Sequence, residues 1–304
     1  VLYEAVEQAV FAARPRVVVL DDRLTALAVL RRYLDAEEPS FMRLVRGLWR
    51  AQAAAVTPKM AEWALSIRDL PAALADEWFA LAVEFWEEKL GPEVGKAAQA
   101  AGDRTARRVN ETRKQAFTFD PTGAAIVRWM TESGAELIRE LSATQTAGIN
   151  ALLHHQVFMG ITSPAQAAQM IKPMVGLLRR EVSAVARYWM ELTAQGMAVT
   201  KIETATAKYA AYLHRTRAER IARTELANAY NHGQLESMRQ AQEAGYLTNV
   251  EKTWETADDE RTCDECDTLG GETVGMDENF SNGLESPTAH PGCRCSVTYR
   301  AVRR

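Results

Sequence analysis

The chain has 304 residues, 47% hydrophobic and 25% charged, with a formal net charge of -4 at pH 7. This balance suits a globular protein with room for a sizeable core. It argues against a globally basic nucleic-acid binder and leaves local basic patches open. Arg14, Arg16, Asp21 and Asp22 interrupt the most hydrophobic early stretch, so no apolar run reaches membrane-spanning length. Val1 is not a methionine, so translation need not start there, and nothing present resembles a targeting segment.

Tyr3, Val6, Val10 and Phe11 fit a short helix, and Val17-Val18-Val19-Leu20 reads as a strand or an extended arm. From 22 to 56, Leu24, Leu27, Leu30 and Leu34, then Phe41, Leu44, Val45 and Leu48, recur at helical intervals, with Pro39-Ser40 as the expected break and cap. A helical pair follows over Pro58–Leu70 and Pro71–Leu90, with Trp63, Trp78 and Trp86 expected as core anchors. Gly91-Pro92 is expected to end a helix. The polar stretch 91–118, carrying Arg104, Arg107 and Arg108, reads as a hinge or a solvated helix. Its charges are not interleaved with aromatics, which makes it a poor nucleic-acid motif.

Phe119 opens a new unit, in which Asp120 as N-cap and Pro121 at the first helical position predict a helix over 121–132. A second helix over 134–156 carries Leu137, Ile138, Leu141, Ile149, Leu152 and Leu153. Ser163-Pro164 predicts a capped helix start running to Ile171, and Pro173 then breaks or bends the chain. From Gly176-Leu177-Leu178 an amphipathic run extends to about Tyr212 with a bend near Gly196, and Arg215 to Ala244 predicts another helix closed by Gly245. The periodicity then changes. Val250, Thr253-Trp254 and Thr256 suggest a short strand and Ser296 to Tyr299 a second, with an acidic, flexible loop over 272–287 between them.

All four cysteines lie within this last segment, in the pattern Cys263-x2-Cys266 and His290-Pro-Gly-Cys293-Arg-Cys295. Cys263 and Cys266 can chelate one ion from a tight turn, and His290 with Cys293 or Cys295 can close a tetrahedron from the other arm. Cys293 and Cys295 are two apart and face opposite sides of an extended segment, so one ligates and the other packs. The preferred set is Cys263, Cys266, His290 and Cys295, with Cys293 as the alternative ligand. A structural Zn2+ is the expected cofactor, because four protein ligands leave no open position for catalysis. A disulfide pair or plain buried thiols are the competing explanations. His154 and His155 are adjacent in a helix and point apart, which makes them weak ligands. The expected fold class is mainly α: a multi-helix body with a small zinc-stapled α+β or β-hairpin C-terminal subdomain. The expected domains are an N-terminal helical region over 1–118, a second helical part over 119–245 and the knuckle over 246–304.

The run Arg217-x2-Arg220-Ile221-Ala222-Arg223-Thr224-Glu225, with Asn228, Asn231 and Gly233, precedes Trp254-x3-Asp258-Asp259-x-Arg261-Thr262-Cys263-x2-Cys266-x2-Leu269-x-Gly271 and the His290 to Cys295 motif. In content and order these motifs resemble the phage head morphogenesis family, typified by the minor head protein F of phage Mu. The resemblance covers Phe119 to Arg304, is strongest after Arg215, and is weaker at Gly160, Thr162, Ser163 and Gly176-Leu177. It implies a minor capsid protein of a tailed phage or prophage, associated with the portal vertex and acting in head assembly or genome delivery. The implied partners are the portal protein, with the major capsid or scaffolding protein and packaged DNA as further contacts, and no membrane. The implied location is the virion head interior or portal vertex, and the host cytoplasm during assembly.

The Arg-Thr-Glu segment also has a physical reading. Arg220 can approach Thr224, and Glu225 can accept a bond from Arg261 or Arg294, so Arg220, Arg223, Glu225, Arg261 and Arg294 are the candidates for docking the knuckle onto the helical body. The competing reading is a phosphate-contacting surface that includes Arg215 and Arg217, although the arginines spread around the helix. No P-loop, Rossmann fingerprint or nucleophile elbow is present, so no enzymatic activity is expected. The alternatives to an assembly role are a DNA-binding ejection protein and a head-associated metal-dependent nuclease using Asp258 and Asp259.

Overall fold

The computed structural model describes residues 17–113, 116–155, 158, 161, 163–257, 259–260 and 262–302. The expected helix at Tyr3, Val6, Val10 and Phe11 lies outside these residues, as do Gly160, Thr162, Asp258 and Arg261. The described chain is mainly helical with a small sheet in its C-terminal part. It separates into two compact units, one made of Val1–Glu37, Val94–Arg128 and Arg223–Arg304, the other of Glu38–Glu93 and Trp129–Ala222.

The elements in order are β1 (Val17–Val19), α1 (Arg23–Ala54), α2 (Pro58–Ile67), α3 (Ala72–Phe85), a π turn (Trp86–Leu90) and α4 (Gly91–Arg113). Then come α5 (Ala124–Leu153), α6 (Pro164–Ile171), a short 3-10 turn (Lys172–Met174), α7 (Arg179–Ala194) and α8 (Val199–Glu243). The knuckle holds β2 (Thr248–Glu255), α9 (Asp264–Leu269), β3 (Thr273–Gly275) and β4 (Ser296–Val302).

Several expected breaks are continuous helix. Pro39 lies inside α1. Leu30, Leu34, Phe41, Val45 and Leu48 are all buried on either side of it. Five such side chains, at about 1.5–3 kcal/mol each, outweigh the roughly 3 kcal/mol cost of an interior proline. Gly91-Pro92 does not end a helix, because the π turn before it lets Gly91 N donate to Trp86 O and carries the chain past a residue without an N–H. The stretch expected as a hinge or a solvated helix is helical over α4, with Val94, Ala97, Ala98, Ala101 and Val109 buried. Asp120 caps a turn, accepting from Thr122 N at 2.9 Å, and the helices expected on either side of Gly134 are one, α5. A Cβ at Gly134 would sit 2.2 Å from the Trp86 indole, so the glycine makes room for the ring.

The bend at Gly196 is real, with φ +74 between α7 and α8. The expected separation near Tyr212 is not, and α8 runs unbroken for 45 residues. Ser163 caps α6, its hydroxyl accepting from Gln166 N.

The second unit packs Trp78, Ile149, Leu152, Phe158, Ile171, Leu177, Val182 and Val185 into one core. Gln52 and Trp78 bond reciprocally there, each side chain donating to the other's backbone carbonyl at 2.9 and 2.7 Å. Trp63, expected as a core anchor, is 45% exposed. Thr57 caps α2 at the residue before Pro58, and the buried side of that short helix is provided by Ala61 and Ala64.

The first unit holds the sheet, all antiparallel in the order β1-β4-β2-β3. Lys252 pairs with Tyr299 and Trp254 with Val297, so these four share a face, and all are buried. β1 pairs Val19 with Arg300, which makes the early valines a strand. The C-terminal half of α8 lies close against α4 in the same unit: a Cβ at Gly233 would sit 2.1 Å from the Ala98 carbonyl.

Candidate metal centre

The knuckle hangs from the end of β2. Cys263 is the N-cap of α9, with extended backbone, and its sulfur accepts from Cys266 N at 3.4 Å. This cap places both thiols at the same end of one short helix. The second arm turns through Gly292, whose φ of +79 lies in the left-handed region that glycine tolerates. It brings His290 Nε2 to 3.1 Å from Cys263 Sγ and 3.2 Å from Cys266 Sγ. Cys266 and Cys293 sulfurs are 3.7 Å apart. Two overlapping triads result, Cys263-Cys266-His290 and Cys266-Cys293-Cys295.

These residues fit a tetrahedral ion. Zn–S and Zn–N bonds of about 2.3 and 2.0–2.1 Å put neighbouring ligand atoms roughly 3.5–3.8 Å apart, close to the separations seen. His290 Nδ1 faces the Pro291 carbonyl at 3.2 Å. A carbonyl only accepts, so Nδ1 carries the proton and Nε2 presents its lone pair to the thiols. Trp254, Leu269 and Phe280 pack around the buried Cys266, Cys293 and Cys295, keeping water from the sulfurs. Trp254 Nε1 is buried with no hydrogen-bond partner among the described residues.

The thiols divide their protons unevenly. Hydrogen bonding from Cys295 holds Cys293 down to about 5. Burial, with the Cys293 charge, pushes Cys266 up to about 12, and bonding to Cys293 with burial pushes Cys295 up as well. Cys263 is lowered, first by the Cys266 backbone N–H. Burial opposes a charge on His290, but the Pro291 carbonyl and the nearby thiols outweigh it and raise its pKa. Without an ion the cluster favours few thiolates, so metal binding must release protons.

Two side chains of α8 latch the knuckle, seven residues apart and therefore on one face. Thr224 Oγ1 accepts from Gly292 N at 2.8 Å. Asn231, fully buried, donates to the Cys295 carbonyl and accepts from Ser296 Oγ, both at 3.2 Å. Both lie in the motif read from the sequence, but their uncharged side chains drew no docking role there. Of the arginines expected to dock the knuckle, Arg294 closes instead on Asp259 within the knuckle, at 2.6 and 2.8 Å. Arg220, Arg223 and Glu225 are half-buried on α8, and Arg223 is near enough to Arg294 to oppose its charge. Arg261 lies outside the described residues.

Arg217 cannot present itself to a phosphate backbone. It is 4% exposed, donates to the Gly176 carbonyl and to Thr144 Oγ1, and lies over the Trp49 ring. Arg215 is exposed, 5.7 Å from the Tyr212 ring centroid. Asp259, considered for a nuclease cluster, is committed to Arg294.

Residues 162–298, somewhat under half of the chain, match the family model described as Phage Mu protein F like protein. The matched stretch contains α8, the whole Cys/His cluster and its latch. No curated protein and no solved structure is found to match. The match supports a general role in phage structure and assembly. Among the described residues no helix is long and apolar enough to cross a membrane.

Proposed function

We propose that the chain is a minor head protein of a tailed phage or prophage, binding at the portal vertex and acting in head assembly or genome delivery without catalysing a reaction. The observation that carries this reading is a family match enclosing a closed Cys/His cluster that is latched to a long helix. In this reading Zn2+ is structural, held by Cys263, Cys266, His290 and Cys295, with Cys293 as the alternative fourth ligand. The ion supplies a covalent-strength tie between the two arms of the knuckle. Arg220, Arg223, Glu225 and Arg261 support the docked knuckle, and the major capsid or scaffolding protein is a further partner. The protein then resides in the virion head or at the portal vertex, after assembly in the host cytoplasm.

Native mass spectrometry of the metal-loaded chain with a candidate portal protein tests the proposal. A defined complex, and one zinc per chain that a chelator removes, are expected. A metal-loaded, folded chain that never associates with the portal protein would overturn the portal assignment.

A further inference from the structure

One side of the second unit carries charge that the assembly role leaves unused. Two open clefts lie there, of ≈ 690 Å³ and ≈ 620 Å³. The first is lined by Arg187 and Tyr188 of α7 and by Lys208 and Tyr209 of α8. The second is lined by Arg179, Arg180, Ser183 and again Arg187, with Thr144 of α5. Arg187 borders both, so the two clefts adjoin along α7 as one grooved surface.

Arg179, Arg180, Arg187 and Lys208 are all exposed. Among the described residues, none of the four is in an ion pair. Glu191 is the acid that lines the groove. Glu181, at the start of α7, turns back to accept from Leu178 N at 2.9 Å. A chain of net charge -4 thus concentrates four unpaired cations in a concave surface, where low-dielectric walls focus their field.

The groove also has rings. Tyr188 and Tyr209 meet edge to face at 5.6 Å and are half-buried in its wall. On α8, Tyr212 and Arg215 continue the line of Lys208 at four- and three-residue steps, with Arg215 against the Tyr212 ring. Cations tracking a groove with aromatic faces beside them are what an extended strand of phosphates and unstacked bases requires.

We propose that this groove binds single-stranded nucleic acid. Guanidinium forks at Arg179, Arg180 and Arg187 grip phosphate oxygens, Lys208 adds a point charge, and the tyrosine faces receive bases. An acidic peptide would satisfy the charges and leave the rings unused. The groove belongs to the second unit and the metal cluster to the first, so the inference stands apart from both the metal and the portal assignment.

Fluorescence anisotropy of the full chain with a labelled oligothymidylate, across a salt series, tests it. Four phosphate contacts predict a log–log slope near -3, or about fifty-fold weaker binding at 200 mM than at 50 mM salt. Arg180→Gln, Arg187→Gln and Lys208→Gln should each make the slope shallower by about 0.7. All three positions are exposed, so the single variants should keep the wild-type circular dichroism spectrum. Arg31→Gln, on the exposed face of α1 in the first unit, should leave both slope and affinity unchanged. Salt-independent binding, an equal loss in Arg31→Gln, or tighter binding of the matching duplex or of polyglutamate would each overturn the proposal.

Discussion

Asn231→Ala puts the latch between α8 and the knuckle to a quantitative test. The amide is fully buried and makes two bonds to adjacent residues, the Cys295 carbonyl and the Ser296 hydroxyl. Each bond contributes about 1 kcal/mol net, and leaving a buried acceptor short of a donor costs a further 1–3 kcal/mol. The expected destabilisation is therefore about 3–5 kcal/mol. Because Cys295 is itself in the cluster, loosening its backbone should also weaken metal retention by roughly ten- to a hundred-fold, as loss of a supporting contact does at other metal sites. Urea unfolding followed by tryptophan fluorescence reads the first quantity, and competition with a chromophoric chelator reads the second. Lys201→Ala, exposed on the same helix, is the comparison. Thr224→Val removes the acceptor of Gly292 N from a half-buried position and should cost about 1 kcal/mol. If Asn231→Ala stays within about 0.5 kcal/mol of the parent and holds its metal as tightly, α8 does not latch the knuckle.

Three further outcomes follow from the packing and the charges. Burial, with opposing charge from Arg217 and Arg46, lowers the His214 pKa from 6.5 to about 4. Between those values the unfolded chain takes up a proton that the folded chain refuses. Stability should thus fall by about 1.4 kcal/mol per pH unit as pH drops through this window, and His214→Phe should flatten the part of the profile due to that residue in urea melts at stepped pH. Gly233→Ala should cost about 1–3 kcal/mol from overpacking, since its Cβ would sit 2.1 Å from the Ala98 carbonyl. A variant as stable as the parent in the same melts would mean that α4 and α8 are free to part. Cys266 belongs to both triads, so Cys266→Ser should abolish stoichiometric zinc. Of Cys293→Ser and Cys295→Ser, the one that loses more affinity in the chelator competition identifies the fourth ligand.

The metal cluster was legible because its information is local: cysteine and histidine types at short spacing predict proximity whatever the rest of the chain does. The strands at β2 and β4 were legible for the same reason, through alternation at Val250 and Trp254 and at Val297 and Tyr299. Helix limits were less so. Pro39, Gly91 and Gly134 each carry a local signal to stop, and each is overridden by the packing or hydrogen bonding around it. At Gly134 the partner is the Trp86 ring and at Gly233 the Ala98 backbone. A periodicity argument sees the missing side chain and not the neighbour that needs the space. Trp63 shows the converse, since its size suggested burial while Ala61 and Ala64 supply the inward face of α2.

The latch between α8 and the knuckle is made by two uncharged side chains, Thr224 and Asn231. Uncharged groups suit the buried part of that contact, because desolvating a guanidinium there would offset much of its attraction. A threonine hydroxyl and an asparagine amide satisfy the backbone groups of the metal-binding arm at far smaller desolvation cost. Inside the knuckle Arg294 and Asp259 meet at its partly solvated edge. The arrangement links metal to fold in both directions: the ion ties the two arms, and α8 fixes the arm carrying Cys295 through its own carbonyl. Removing either support should therefore loosen the other, which is why the chelator competition and the urea melt on Asn231→Ala must change together if the linkage holds.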